Sequence, residues 1–188
     1  MRDPFFFGYG SLVNAATHNY TSTHPAKLAG WRRVWRHTSM RDLAFLSVEP
    51  AEGVQIDGLI AEVPNADWNA LDLRETGYFR SQLPKTSLTH QAGPVEVQMY
   101  QTHPNQDASP AMQHAILLSY VDVVVQGFHN VFGEDGVEQF FKTTAGWDTP
   151  ILNDRSNPRY PRSQSLSRTE TELVDHHLAA LKAQLIST

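Results

Sequence analysis

Phe5-Phe6-Phe7-Gly8-Tyr9-Gly10-Ser11-Leu12 is a run of aromatic side chains that ends in a glycine turn and a small polar residue. Aromatic enrichment without polar alternation reads as a short buried strand over residues 4–9, closed by Gly10. Glycine there lets the chain turn sharply and lets a ligand come close to the backbone. Successive amide N–H groups in such a turn converge on an anion such as a carboxylate. An ordinary strand-to-loop connection has the same sequence, so the turn alone assigns no ligand. Three nucleotide and nucleophile motifs are excluded. The third glycine of a dinucleotide fingerprint is missing, no Gly-Lys-Ser/Thr follows as in a phosphate loop, and Ser11 lacks the glycine that a nucleophile elbow places two residues on.

Outward from this run, the first hundred residues read mainly as strands. Residues 27–38 alternate bulky and polar side chains, with Trp31, Arg33 and Trp35 on one face. Arg32, Arg33 and Arg36 read as a solvated basic strand face, or else a local anion site. Residues 43–48 and 55–63 are further strands, and Gly58 inside the second marks a bulge or a close backbone approach. Asn65 is placed to cap a short helix reaching Leu73, which Gly77 ends. Residues 78–83 and 85–89 are strands split at Pro84, and residues 94–102 place Val95, Val97 and Met99 on one face.

The second half is helical. Ser109 and Pro110 open a long helix whose apolar side runs from Leu117 to Phe132 and which Gly133 stops. Residues 135–144 form a shorter helix with Val137, Phe140 and Phe141 inward. Residues 146–167 hold three prolines and read as irregular. Thr169 and Glu172 form a capping box for a last helix carrying Leu173, Val174, Leu178 and Leu181. Strands first and helices after make an α+β fold, with the strand half curled or closed into a barrel.

The 188 residues suit one domain, with a core over 4–145 and an irregular segment and C-terminal helix over 146–188. No cysteine is present, which excludes disulfides, thiolate metal sites and a cysteine nucleophile. The net charge of −5 argues against nucleic acid. The N-terminal apolar run is too short for a secretion signal and no later stretch has the length of a membrane span, so a cytoplasmic protein without membrane contact is expected.

A second segment carries chemistry: Leu71-Asp72-Leu73-Arg74-Glu75-Thr76-Gly77-Tyr78-Phe79-Arg80. Glu75 falls at a helix C-terminus, where the helix dipole disfavours a negative charge. Two readings follow. Glu75 is a surface partner of Arg74 or Arg80, or it is a carboxyl of raised pKa suited to a general base near neutral pH.

Together the two segments resemble the γ-glutamyl cyclotransferase superfamily, which includes the glutathione-degrading ChaC branch and the plant AIG2-like branch. Its Tyr-Gly-Ser-Leu/Asn turn is matched by Tyr9-Gly10-Ser11-Leu12, and its Leu-Asp-x-x-Glu stretch by Leu71 to Glu75 with Gly77-Tyr78 after it. Leu28 to Arg33 is similar to the second-strand segment of the ChaC branch, and Ile56 to Ile60 to the strand before the catalytic helix. The glycine-rich stretch of the ChaC branch is absent, and residues 105–188 match less well. The resemblance implies a small mixed β-barrel surrounded by helices, with a pocket at one end. It also implies a cofactor-free, metal-free cyclisation of a γ-glutamyl peptide or γ-glutamyl-amine to 5-oxoproline and a released amine. Glu75 is then the general acid/base. The amides of Gly10, Ser11 and Leu12 hold the substrate α-carboxylate, Tyr9 walls the pocket, the Tyr9 and Tyr78 hydroxyls orient substrate or Glu75, and Arg80 balances charge. A non-catalytic binding module of the same fold and another γ-glutamyl-processing enzyme are the alternatives.

Other polar groups read as structural. His176 and His177 point apart on a helix, His37 beside Asp42 and His90 are lone histidines, and Asp122 and Glu138 read as solvated or capping charges on helices. Asp154, Arg155, Arg159, Tyr160 and Arg162 read as a surface crossing, with a lid over the leaving-group side of the pocket as the functional alternative.

Overall fold

The computed structural model describes residues 2–103, 105, 107–108 and 114–187. Its main sheet contains β1 (Phe5–Gly8), β2 (His24–His37), β3 (Ala44–Glu62), β4 (Tyr78–Gln82), β5 (Leu88–His90), β6 (Val97–Thr102) and β8 (Thr144–Ala145). The strand order is β4-β6-β1-β3-β2-β5, and β8 also lies on β2. β1 sits centrally, parallel to β6 and antiparallel to β3. Its three phenylalanines therefore bury on both faces of the sheet, which is why the run lacks polar alternation. Phe5 and Phe7 enter the larger core, while Phe6 packs in a second cluster with Leu12, Val63, Trp68, Leu71 and Tyr100.

Residues 43–48 and 55–63 are parts of one strand rather than two. β3 runs antiparallel to β2 along nearly its whole length, from His24↔Ile60 to His37↔Ala44, with a register shift between Ala29 and Trp31. At Gly58 the expected close approach is present: a Cβ there would lie 2.5 Å from the Gly8 carbonyl oxygen and 2.4 Å from the Phe7 ring. The sheet is large but does not close into the expected barrel. Closure needs the edge strands to pair in register. The edges here are β4, five residues, and β5, three residues, and they pair to opposite ends of the sheet, with β6 and β2.

The Arg32–Arg36 cluster divides by face. Arg32 and Arg36 share Glu49 on the outer side at 2.5 and 2.6 Å. Arg33 points inward beside the core residue Trp35 and has no exposure.

Among the described residues three helices complete the fold: α1 (Asn69–Arg74), α2 (Leu118–Lys142) and α3 (Arg168–Ala180). Asn65 does not cap α1. It takes a left-handed conformation (φ 56°) in a 3-10 turn, and Asp67 Oδ1 accepts from the Asn69 amide at 3.1 Å instead. The expected cap at Ser109-Pro110 lies outside the described residues. α2 begins only at Leu118, preceded by a strand, β7 (Ile116–Leu117). Helical geometry breaks at Gly133 (φ 68°, ψ −165°), and Val137, Phe140 and Phe141 beyond it are buried, as the pattern predicts. Within the irregular segment β9 (Ile151–Asn153) pairs in parallel with β7 and with β10 (Leu185–Ser187), a small sheet too short to show a period. The C-terminal half is therefore not purely helical. Among the described residues no helix is long and apolar enough to cross a membrane.

The capping box of α3 lies two residues before the expected one. Ser167 Oγ accepts from the Glu170 amide at 3.2 Å, and the Glu170 carboxylate accepts from the Ser167 amide at 2.6 Å. Ser167→Ala should lower unfolding stability by about 1 kcal/mol. Thr169→Ala, at an exposed position, should change it by less than about 0.5 kcal/mol. Urea denaturation of the two variants checks the register.

Candidate functional site

The glycine turn continues β1 into a 3-10 turn, Ser11–Val13, followed by a second at Ala15–Thr17. Asn14 fastens the turn to α2: its side-chain amide donates to the Val123 carbonyl at 2.9 Å and to Gln126 Oε1 at 3.0 Å. Gly10 has no room for a side chain, because a Cβ would lie 2.6 Å from the Tyr120 hydroxyl. The first amides of a helical turn have no partner inside it. Among the described residues no backbone carbonyl accepts from Gly10, Ser11 or Leu12.

α1 covers the Phe6 cluster and delivers Glu75 at its C-terminal end, where the Glu75 amide donates to the Leu71 carbonyl at 2.9 Å. Gly77 follows with φ +101°, a left-handed conformation that turns the chain into β4 and is strained for other residues. Glu75 and the glycine turn meet. Arg74 joins them: its Nε donates to Glu75 Oε1 at 3.0 Å, while its Nη atoms donate to Ser11 Oγ at 3.3 Å, Thr17 Oγ1 at 3.0 Å and the Thr17 carbonyl at 2.8 Å. This ion pair faces inward, with side-chain exposures of 8% for Arg74 and 16% for Glu75.

Glu75 and Ser11 both line a cavity of about 310 Å³, completed by the ring of Tyr78, Leu46 and Phe45 from the sheet, Tyr120 from α2, and Arg159 to Arg162 from the irregular segment. A narrow extension of about 30 Å³ reaches Tyr9, Gly10, Leu12 and Tyr100. Small-molecule sites commonly occupy about 300–1,000 Å³, so the cavity suits a small ligand. Burial pushes the Glu75 carboxyl above its ordinary value, with Arg74 and Arg162 opposing the shift. Burial likewise pushes the Tyr9, Tyr78 and Tyr120 hydroxyls up, so they stay protonated at any ordinary pH.

The structure thus brings Glu75, Tyr9, Gly10, Ser11, Leu12 and Tyr78 to one place. The two tyrosine protons are already engaged: Tyr9 Oη donates to the Tyr100 carbonyl at 2.7 Å and Tyr78 Oη to the Leu46 carbonyl at 2.8 Å. Arg80 is not brought in. It pairs with Asp72 at 3.1 Å, donates to Gln98 Oε1 at 2.7 Å and lies over the Trp68 ring at 4.2 Å. The cationic groups at the cavity are instead Arg41, Arg74, Arg159 and Arg162. Sequence reasoning took Arg74 only as a surface partner of Glu75 and passed over Arg41 and Tyr120. Tyr120 falls on the long helical pattern, where a polar tip among apolar neighbours is the one available signal.

A raised carboxyl pKa has a consequence for stability. Between the ordinary glutamate value of 4.5 and the raised folded value, the folded state binds more protons than the unfolded state, so stability falls as pH rises through that window. Glu75→Gln removes the charge. The variant should be at least as stable as the parent at pH 7, and its advantage should vanish below pH 4.5. Thermal unfolding across pH checks this.

Several solved structures share the fold. A protein described as a γ-glutamyl cyclotransferase superposes with a TM-score of 0.57 at 11% identity, over 93% of this chain and 99% of that one. The human protein loc79017, described as uncharacterized, gives 0.56 at 12% identity over 93% and 99%. YkqA from Bacillus subtilis gives 0.57 at 15% identity, over 78% of this chain and 57% of YkqA. No curated protein sequence matches significantly. The sequence profile described as gamma-glutamyl cyclotransferase, AIG2-like, matches residues 6–116, from β1 through the turn and Glu75 to β7. Matched over more than half its length, the chain belongs to the γ-glutamyl cyclotransferase, AIG2-like family.

Proposed function

We propose that the protein cyclises a γ-glutamyl amide, releasing 5-oxoproline and the amine, with Glu75 as the proton carrier. The observation that carries this reading is the shared cavity: a carboxyl of raised pKa and a turn whose amides, among the described residues, meet no backbone carbonyl line one small space. Family membership supports the same chemistry.

The reaction begins with an α-ammonium group, whose ordinary pKa of about 7.7–8.0 leaves it mostly protonated at neutral pH. Glu75 takes a proton from it. The freed amine attacks the γ-carbonyl carbon of the same molecule, a carbon–nitrogen bond closes the five-membered ring, and the original amide bond to the leaving nitrogen breaks. Of the three ammonium protons one stays on the lactam nitrogen. The other two end on the released amine, carried across in turn by Glu75. A carboxyl with a raised pKa suits both directions, since it accepts readily and gives the proton back. Nucleophile and electrophile share one molecule, so much of the acceleration comes from holding the substrate folded. The amides of Gly10, Ser11 and Leu12 hold the α-carboxylate. Tyr9 and Tyr78 wall the pocket, their hydroxyl oxygens still able to accept hydrogen bonds. Arg80, committed to Asp72 and Gln98, serves the scaffold rather than the substrate.

Incubation with glutathione, γ-glutamyl dipeptides and γ-glutamyl-amines should yield 5-oxoproline. Release of free glutamate instead would indicate hydrolysis, and binding without product a non-catalytic module. Glu75→Gln should lower kcat by about 10²–10⁴-fold while keeping the fold, as circular dichroism reads it. The acidic limb of the kcat/KM profile should lie above pH 4.5, the ordinary glutamate value.

A further inference from the structure

The cavity holds more positive charge than a γ-glutamyl group uses. Arg41, Arg74, Arg159 and Arg162 line it against one carboxylate, Glu75. Arg74 is spent on Glu75, Ser11 and Thr17. Among the described residues Arg41, Arg159 and Arg162 have no carboxylate within ion-pair distance, whereas Arg32, Arg36, Arg80, Arg155 and Arg168 each have at least one. Arg41 rests over the Phe45 ring, 5.6 Å from its centroid. The γ-glutamyl unit itself brings one carboxylate and one ammonium. Even if one guanidinium took the α-carboxylate in place of the turn amides, two would remain at the cavity mouth without an ion-pair partner among the described residues.

The backbone that carries Arg159 is anchored three residues before Arg162. Asp154, fully buried, accepts from the Arg159 amide at 2.8 Å and from the Ser119 amide and hydroxyl at 2.8 and 2.6 Å. The next residue, Arg155, forks onto Asp122 at 2.8 and 2.7 Å and pairs with Asp175 at 2.7 Å. A backbone stapled at both α2 and α3 has little entropy left to lose on binding, so only the arginine side chains need to be ordered by a ligand.

Resting on the cyclotransferase reading, we propose that Arg41, Arg159 and Arg162 form a leaving-group subsite for an amine that carries two negative charges, such as an acidic amino acid. The planar guanidinium fork matches a carboxylate in two parallel hydrogen bonds, which an uncharged amide cannot reproduce. The same charges repel a cationic leaving group such as a polyamine. Two of the three arginines lie beyond residues 6–116, so most of this subsite is supplied by a part of the chain that the family profile does not cover.

The test measures 5-oxoproline formation from γ-glutamylglutamate, γ-glutamylglycine, γ-glutamylglycinamide and γ-glutamylputrescine. We expect kcat/KM to fall in that order, by about tenfold for each negative charge removed. The double variant Arg159→Gln/Arg162→Gln should collapse the ratio between the first and third substrates toward one. Equal or faster turnover of the amide or the putrescine derivative by the parent protein would overturn the subsite while leaving the cyclotransferase reading intact. A preference for the acid that survives in the double variant would overturn the assignment to these arginines. No 5-oxoproline from any of the four would overturn the cyclotransferase reading and the subsite with it.

Discussion

Arg33 places a guanidinium at the centre of the molecule with no exposure and no carboxylate bonded to it. Its Nε donates to the Tyr9 carbonyl at 2.7 Å, one Nη to Thr143 Oγ1 at 2.9 Å and the other to the Asp57 carbonyl. The rings of Phe128 and Phe140 lie 4.8 and 5.4 Å from its Cζ. Burial pulls its pKa down to about 9, still high enough to keep it charged at neutral pH. A buried charge is tolerable only when its donors are satisfied, so the geometry around it is tightly constrained. The three acceptors belong to the end of β1, the middle of β3 and the end of α2. Holding the Tyr9 carbonyl on its outer side, Arg33 fixes the residue from which the glycine turn departs.

With the turn fixed from behind, Arg74 holds it from the front. The same guanidinium that touches Ser11 and Thr17 touches Glu75, so the turn and the carboxyl keep their separation. Glu75 is left between two pulls: burial at a helix C-terminus favours its neutral form, while Arg74 and Arg162 favour the charged form. These influences oppose one another and burial is the largest, so the carboxyl sits above its ordinary value yet remains ionisable. A proton carrier requires that balance, and it costs the fold some stability.

The segment after β9 shows how distant residues finish the site. α2 begins without a side-chain cap of its own. Asp154 takes that place from 35 residues away, accepting from the Ser119 amide where the helix dipole favours a negative charge. One carboxylate thereby starts α2, anchors the irregular segment and sets Arg159 and Tyr160 over the cavity. Tyr160 meets the Tyr120 ring edge-on at 5.0 Å, closing the aromatic wall.

Local pattern was enough to reveal the buried β1 strand, the glycine turn, the break at Gly77 and the inward face of residues 137–141. Each of these depends on neighbours within a few residues, where side-chain period and backbone restriction act directly. What the linear pattern could not supply depends on partners far along the chain. The inward turn of Arg33 needs carbonyls from β1 and β3. The open edges of the sheet follow from which strands β4 and β5 find. The withdrawal of Arg80 from the site follows from Asp72, Gln98 and Trp68 competing for it, and the arrival of Arg159 and Arg162 follows from the path of a proline-containing segment. Alternation and helical period encode which face of an element is buried. They do not encode which element will lie against that face, because long-range contacts are chosen by packing and by the need of each buried polar group for a partner.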